Sequence, residues 1–175
     1  MNLPIAYQWL GQEGAPRHLL KAVELYGVTE AIGSSNNPAI LGWAKEVGLE
    51  KDYTADSIPW CGLFVAVTMK RADRDPVKDP LWAANWNNFG VESKTPMLGD
   101  ILVFTRNGGG HVGLYVGEDN QAFHVLGGNQ GDKVSIVRIA KARLSGARRP
   151  IYKVQPLNIR KIILKSNGKL SENEA

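Results

Sequence analysis

The residues most able to do chemistry in this sequence are a single cysteine and its potential partners. Cys61 is the only cysteine and opens the apolar run "CGLFVAV" shortly after Pro59. We expect a helix to begin there, because a proline is common at a helix start. Free N–H groups and the helix dipole favour a thiolate and can hold an oxyanion. The alternative is an inert buried thiol, since cysteine packs as a small hydrophobe.

A thiol nucleophile needs a base, and the chain has three histidines. His111 is the preferred candidate, because it opens a predicted strand just after a glycine loop, where its side chain can face a cleft. His18 has polar neighbours in a predicted helix and is expected at the surface. His124 lies in mid-strand and can be a satisfied core residue. Asn129, in the turn "LGGNQ", is the amide best placed to orient His111, although asparagine also favours turns for structural reasons.

The elements that must position these residues fall into two halves. Apolar residues at helical spacing predict helices first, and short alternating runs rich in β-branched residues predict strands after Pro96. The predicted helices are "APRHLLKAVELYG", "NNPAILGWAKEVG", residues 60–71 and a short one around "PLWAANWNNFG". The predicted strands are "DILVFT", "HVGLYVG", "QAFHVL" and "KVSIVRI". Helices followed by an antiparallel meander indicate an α+β fold. The Gly127–Gly128 pair should let two backbone segments pass closely near the site.

Composition excludes several classes of protein. One cysteine in 175 residues rules out an internal disulfide and a multi-cysteine zinc site. No run of about 18 apolar residues is present, so we expect no membrane span. The first 20 residues lack a basic start and an apolar core, so we expect synthesis in the cytoplasm without a signal peptide.

The charge distribution is uneven. Between Lys141 and Lys165 the chain has eight Lys or Arg and no Asp or Glu, and the net charge of the whole chain is +4. Such a stretch can attract an anionic polymer, but the favoured alternative is a solvated surface. It lacks the interleaved aromatic residues of single-strand nucleic-acid binders, so no nucleic acid is expected as a partner.

Four short motifs resemble one family when taken in order. "WCGLFV", "GDILVF", "GHVGLYVG" and "LGGNQ" are similar to papain-like CHAP hydrolases (cysteine, histidine-dependent amidohydrolase/peptidase) and their NlpC-type relatives, above all in the phage-associated subfamily. "LGWAKEVG" and "AANWNNFG" fit as well, so the resemblance covers roughly residues 6–150. It implies a papain-like fold with N-terminal helices packed on an antiparallel sheet. We therefore expect one hydrolase domain over 1–155, and a basic extension with a disordered tail over 156–175.

The resemblance also implies roles for the candidate residues. Cys61 would be the nucleophile, with its backbone N–H in the oxyanion hole, His111 the general base, and Asn129 the residue that orients it. Tyr53 would lend a further contact, with Asp56 as a second candidate. No metal or cofactor is implied.

Other positions carry weaker expectations. Many CHAP members have an acidic residue two positions before the asparagine, where this chain has Gly127. Gln130 is a weak candidate to support Asn129. Three tryptophans are weak candidates for a substrate groove, with the core as the alternative: Trp60, Trp82 and Trp86.

The function implied by the resemblance is hydrolysis of peptidoglycan, either in the stem peptide or at the muramoyl–alanine amide. The expected context is a phage lysin or an injected antibacterial toxin that acts on the cell wall or periplasm after export by a holin, tail or secretion system. Delivery machinery and an immunity protein are further expected partners. Two alternatives remain open: an intracellular cysteine peptidase or acyltransferase acting on proteins, and a non-catalytic wall-binding or virion module.

Overall fold

The helical half of the fold agrees with the sequence pattern. The computed structural model describes residues 3–14, 16–106, 108–166, 168–172 and 174. The α-helices in this part of the chain are α1 (Arg17–Glu24), α2 (Pro38–Glu46) and α3 (Cys61–Arg71). Shorter 3-10 helices cover Ile5–Gln12, Ala83–Asn88 and Lys141–Arg143. None of the described helices is long and apolar enough to cross a membrane.

The strands form one antiparallel sheet, which confirms the α+β class. Its strands are β1 (Val91–Glu92), β2 (Ile101–Arg106), β3 (Gly109–Glu118), β4 (Ala122–Gly127), β5 (Ser135–Ala140) and β6 (Leu144–Arg149). Their order across the sheet is β1-β6-β2-β3-β4-β5. The four predicted strands are β2 to β5, and they follow one another as the predicted meander.

Helix α3 is the element that joins the two halves. All its residues from 61 to 69 are buried, because α1 and α2 pack on one side of it and β3 on the other. A helix that is apolar all round is the kind that lies inside a protein rather than on its surface. Its N-terminal residue, Cys61, is therefore held against the sheet at the level of β3.

Strand β6 was not predicted. It comes from the basic stretch, where "LSGARR" shows no clear apolar alternation, and it pairs with β2 on one edge and β1 on the other. Five of the eight basic side chains between 141 and 165 form ion pairs with carboxylates elsewhere in the described chain. These pairs are Lys141–Glu118, Lys161–Glu118, Arg143–Glu174, Arg149–Asp100 and Arg160–Glu13. Four carboxylates thus offset half of the eight positive charges, because Lys141 and Lys161 share Glu118.

The C-terminal segment 156–175 contacts the sheet in the part of the chain that the structure describes, and the prediction of a basic extension with a disordered tail stays a prediction. Ile163 forms a parallel bridge with Glu118, and Leu170 forms one with Arg138. Leu164 packs close to the sheet, since a Cβ at Gly117 would meet its side chain at 2.4 Å. Apolar and backbone contacts therefore join this segment to the sheet. Residues 167, 173 and 175 lie outside the described residues, and the domain boundary at 155 stays a prediction.

Two histidines away from the expected site are buried and structural. His18 was expected at the surface, but it is 1% exposed, because its Nε2 bonds to the carbonyl of Gly99 at 2.6 Å. His124 accepts a hydrogen bond from the Tyr7 hydroxyl at 2.7 Å and donates one to Asp119 at 2.9 Å. The core role considered for His124 thus agrees with its contacts.

The burial of His18 and His111 predicts that the free energy of unfolding decreases in acid. Burial lowers the pKa of His18 and of His111 to about 4, whereas an exposed histidine in the unfolded chain titrates near 6.5. Between these values the unfolded state binds more protons, so stability is full above pH 6.5 and falls as the pH drops. At pH 5 each histidine should cost about 2 kcal/mol.

Urea unfolding followed by tryptophan fluorescence at pH 7.5 and pH 5 would measure this loss. The His18→Gln variant should show a smaller difference between the two pH values than the wild type. An equal free energy of unfolding at both pH values would contradict the prediction.

Candidate active site

Cys61 is the first residue of α3, as the sequence predicted. The backbone N–H groups of Val112, Gly62 and Cys61 itself and the positive charge of Arg106 act to lower the pKa of its thiol. Burial opposes them and is larger, so the net effect is a raised pKa of the Cys61 thiol. The thiol of the candidate nucleophile Cys61 is therefore neutral. It needs a base to remove its proton, rather than being a thiolate in advance.

Two glycines allow the close packing around Cys61. A Cβ on Gly62 would lie 2.1 Å from the carbonyl oxygen of Pro80. A Cβ on Gly128 would lie 2.6 Å from Cβ of Phe64 and 2.7 Å from the ring of Trp60. The predicted close passage at Gly127–Gly128 is thus confirmed, and it brings the β4–β5 turn against the first turn of α3.

Gln130, and not Asn129, bonds to the candidate base. The Nε2 atom of His111 lies 3.0 Å from Oε1 of Gln130. The amide nitrogen of Gln130 faces the carbonyls of Val125 and Ser135, so its Oε1 must be the acceptor toward His111. His111 therefore carries its proton on Nε2. A neutral imidazole in this tautomer leaves Nδ1 unprotonated.

The free ring nitrogen of His111 is the feature that suits it to act as a base. Nδ1 is buried and has no hydrogen-bond partner in the described structure. His111 immediately precedes Val112, whose N–H lowers the pKa of the Cys61 thiol. A buried acceptor without a partner is costly in a folded protein and needs an explanation, of which a catalytic role is one. Here the acceptor lies on the residue next to Val112, whose N–H acts on the candidate nucleophile Cys61.

Asn129 has a different place from the one predicted. It adopts a left-handed backbone conformation with φ of 55°, which asparagine tolerates in turns. Its side-chain Oδ1 is buried without a hydrogen-bond partner. Gln130 takes the orienting position instead, because the turn directs the next side chain toward His111.

Gly127 explains why no acidic residue stands at this position. A Cβ there would lie 2.6 Å from Oε1 of Gln130 and 3.2 Å from Nε2 of His111. The space that a side chain at 127 would need is already filled by the amide of Gln130. The contact between Gln130 and His111 therefore requires a glycine at position 127, which excludes an acidic side chain there.

Charges near His111 act on it in both directions. Burial dominates and lowers its pKa to about 4, while the carboxylate of Glu174 and the bond to Gln130 raise it, and Arg106 and Arg143 lower it. His111 is thus neutral at physiological pH. It is competent to accept a proton without first having to lose one.

The two support candidates upstream have structural roles. The Tyr53 hydroxyl donates to the carbonyls of Asp56 and Ile58, at 3.2 and 3.1 Å. The Asp56 carboxylate accepts from the backbone N–H groups of Ala31 and Asn37, at 2.9 and 2.7 Å. Both residues fix the loop that leads into Cys61, and these contacts do not place either of them in the catalytic group.

Two of the three candidate groove tryptophans are core residues. Trp60 and Trp86 are fully buried, and their indole N–H groups donate to Glu30 and to the carbonyl of Pro80. The groove prediction is therefore wrong for both, because their rings are used for packing. Trp82 is 73% exposed and remains accessible to a ligand.

The arrangement of thiol, imidazole and amide is suited to acyl transfer. A thiol, a neutral imidazole fixed in one tautomer and helix N–H groups together supply a nucleophile, a base and an oxyanion site. Among the described residues, no group of three or more His, Cys, Asp or Glu side chains could hold a metal ion.

Comparison with known families agrees with this geometry. Residues 53–129 match the family model of the CHAP domain, which contains Cys61, His111 and Asn129 and ends one residue before Gln130. The resemblance to CHAP hydrolases is thus confirmed over this stretch. A CHAP domain indicates a hydrolase of amidase or peptidase type, usually cysteine-dependent, of the kind that acts on peptidoglycan. A comparison with curated proteins finds no match.

Proposed function

Taking the CHAP domain at residues 53–129 as the premise, we propose that this protein cleaves an amide bond of peptidoglycan through a cysteine thioacyl intermediate. The observation that carries the proposal is the state of His111. Gln130 accepts its Nε2–H, and the buried Nδ1 has no hydrogen-bond partner in the described structure. The next residue, Val112, acts through its N–H on the Cys61 thiol. A structural histidine would be expected to satisfy both ring nitrogens.

In the acylation step, Nδ1 of His111 takes the proton from Sγ of Cys61. The thiolate attacks the carbonyl carbon of the amide, and the carbonyl electrons move onto oxygen. N–H groups in the first turn of α3, including that of Cys61, stabilise this oxyanion. When the intermediate collapses, the C–N bond breaks and the imidazolium returns its proton to the leaving amine.

In the deacylation step, neutral His111 removes a proton from water, and the hydroxide attacks the thioester. The C–S bond breaks, the acid product leaves, and the imidazolium returns its proton to the thiolate. Gln130 stabilises the imidazolium in both steps as acceptor of its Nε2–H. The residues return to their starting state, and the sum is addition of water across one amide bond.

The proposed bond is either within the stem peptide or the amide between N-acetylmuramic acid and L-alanine. We further propose that the protein acts on the cell wall as a phage lysin or an injected antibacterial toxin, with a holin, tail or secretion system for delivery and an immunity protein in the second case. The support is the resemblance of the motifs around Cys61 and His111 to the phage-associated subfamily.

Mass spectrometry of purified peptidoglycan sacculi, digested with wild type and with Cys61→Ala, tests the proposal. New fragments from wild type alone are the expected result. Loss of cross-linked dimers would identify an endopeptidase, and free stem peptides would identify an amidase. Absence of new fragments from walls of several chemotypes would overturn the proposal in favour of a protein substrate or a non-catalytic module.

A further inference from the structure

A buried carboxylate beside the candidate site has no role in the chemistry described above. The side chain of Glu174 is fully buried and pairs with Arg143 through both oxygens, at 2.8 and 2.7 Å. Such a two-point contact is the geometry with which arginine recognises a carboxylate. Glu174 thus shows what Arg143 is arranged to bind.

Backbone contacts place this pair at the His111 end of the sheet. The carbonyl of Glu174 accepts from the N–H of Gly131, the residue after the glutamine that holds His111. Arg143 donates through Nε to the carbonyl of Thr105 at 3.0 Å. Thr105 follows Phe104, which pairs with His111 in the β2–β3 register. The Arg143–Glu174 pair is therefore joined to two backbone segments that border the candidate base, through the Glu174 carbonyl and the Arg143 guanidinium.

The charges of this region also reach the reacting groups. The Glu174 carboxylate raises the pKa of His111, and Arg106 lowers the pKa of Cys61. Arg106 is the last residue of β2, one position beyond Thr105. Arg143, in the 3-10 helix Lys141–Arg143, thus contacts the same end of β2 through the carbonyl of Thr105.

We propose that Arg143 is the carboxylate-binding subsite for an acidic peptide substrate, and that Glu174 occupies this subsite in the free protein. This inference rests on the proposed function and names its substrate class: a peptide with a free carboxylate near the scissile amide. The substrate carboxylate replaces the Glu174 side chain on Arg143, so substrate binding and release of that side chain are one exchange. A tethered competitor raises the apparent KM without changing the bond-breaking step.

The matched variants are Glu174→Gln and Arg143→Gln, assayed on stem peptides with free and with amidated carboxylates. Glu174→Gln should lower KM for the free-carboxylate peptide by about tenfold, with kcat within about twofold, because the competitor loses its charge. Arg143→Gln should raise KM for that peptide by about tenfold or more. The amidated peptide should respond to neither change by more than about twofold.

A purely structural role of the pair would give a different pattern. Loss of the pair would then lower thermal stability and kcat for both peptides alike, without changing the ratio of their KM values. That pattern, or an unchanged KM ratio in Glu174→Gln, would overturn the inference. Thermal unfolding of each variant separates a folding defect from a binding defect.

Alkylation of Cys61 tests the subsite even if the protein does not cut peptidoglycan. N-acetylalanylglutamate should slow the reaction of iodoacetamide with Cys61 in Glu174→Gln, and its amidated counterpart should not. Protection should disappear in the double variant with Arg143→Gln. Protection by the carboxylate without any cleavage of sacculi would uphold the subsite and reject peptidoglycan as the substrate. Equal effects of the two dipeptides would reject the subsite.

Discussion

Replacing His111 by glutamine should lower kcat/KM by about a thousandfold or more, while the protein stays folded. The reason is that in the proposed mechanism Nδ1 of His111 accepts the thiol proton, and burial keeps the Cys61 thiol neutral at rest. General base catalysis contributes typically ~10²–10⁴ to a rate. Glutamine keeps a polar group that can meet Gln130 but cannot take a proton.

The pH profile gives this prediction a second readout. Because the pKa of His111 is lowered to about 4, the base stays unprotonated through mildly acidic conditions, and activity should fall only as the pH approaches that value. Initial rates on stem peptides from pH 4 to 8, within the range where the protein remains folded, would measure it. An acid limb with a midpoint near 6.5 would contradict the assignment.

His18→Gln is the matched control for this experiment. His18 is equally buried and its pKa is also lowered to about 4, but it bonds to Gly99 outside the site. This variant should lose stability and retain turnover at pH 7.5. Equal losses of turnover in the two variants would mean that the effect of His111 is structural.

Replacing Gln130 by leucine should lower kcat by about 10- to 100-fold. The change removes the acceptor for Nε2–H of His111, so that a buried donor is left unsatisfied and the tautomer is no longer fixed. An unsatisfied buried group costs about 1–3 kcal/mol, which corresponds to this range of rates when it falls on the transition state. Single-turnover rates on a stem peptide would separate this effect from binding.

Asn129→Ala is the control that distinguishes the two neighbouring amides. Because the side-chain oxygen of Asn129 makes no hydrogen bond in the described structure, its loss should change kcat by no more than about threefold. Gln130→Glu should recover part of the activity, since a carboxylate can also accept from Nε2–H. A larger loss in Asn129→Ala than in Gln130→Leu would show that asparagine orients the base during turnover.

Much of the fold could be predicted because its pattern is local. Helices α1 to α3 carry apolar residues at helical spacing, and Asn37 caps α2 as expected, accepting from Ala39 N–H at 2.8 Å. Strands β2 to β5 alternate and are separated by turn residues. Cys61 and His111 could be selected as candidates because each lies near the start of a predicted helix or strand, where its side chain can face a neighbouring element.

The choice between Asn129 and Gln130 could not be made from the sequence. Both are amides in one turn, and the direction of each side chain depends on the positive φ angles of Asn129 and Gly131, on either side of Gln130. The useful clue was Gly127, since a missing side chain there implies that another group fills the space next to His111.

The structure of the last part of the chain was hard to predict because its contacts are with residues distant in the sequence. Strand β6 and the segment around Ile163 are held by partners that precede them by 38 residues or more, such as Val103 opposite Gly146 and Glu118 opposite Ile163. Basic composition alone predicted a solvated surface. The structure differs because carboxylates distant in the sequence pair with these basic side chains, and because the edge of β2 pairs with β6.

The position of β6 has a consequence for biosynthesis. Strands β2 to β5 can pair as soon as each leaves the ribosome, because their partners are neighbours in the chain. Strand β2, which is rich in apolar side chains, has unpaired backbone groups along one edge until β6 has been made, because β6 pairs with that edge. Exposed apolar edges promote association between chains. Nascent chains that stall before residue 144 should therefore be the species most dependent on chaperones.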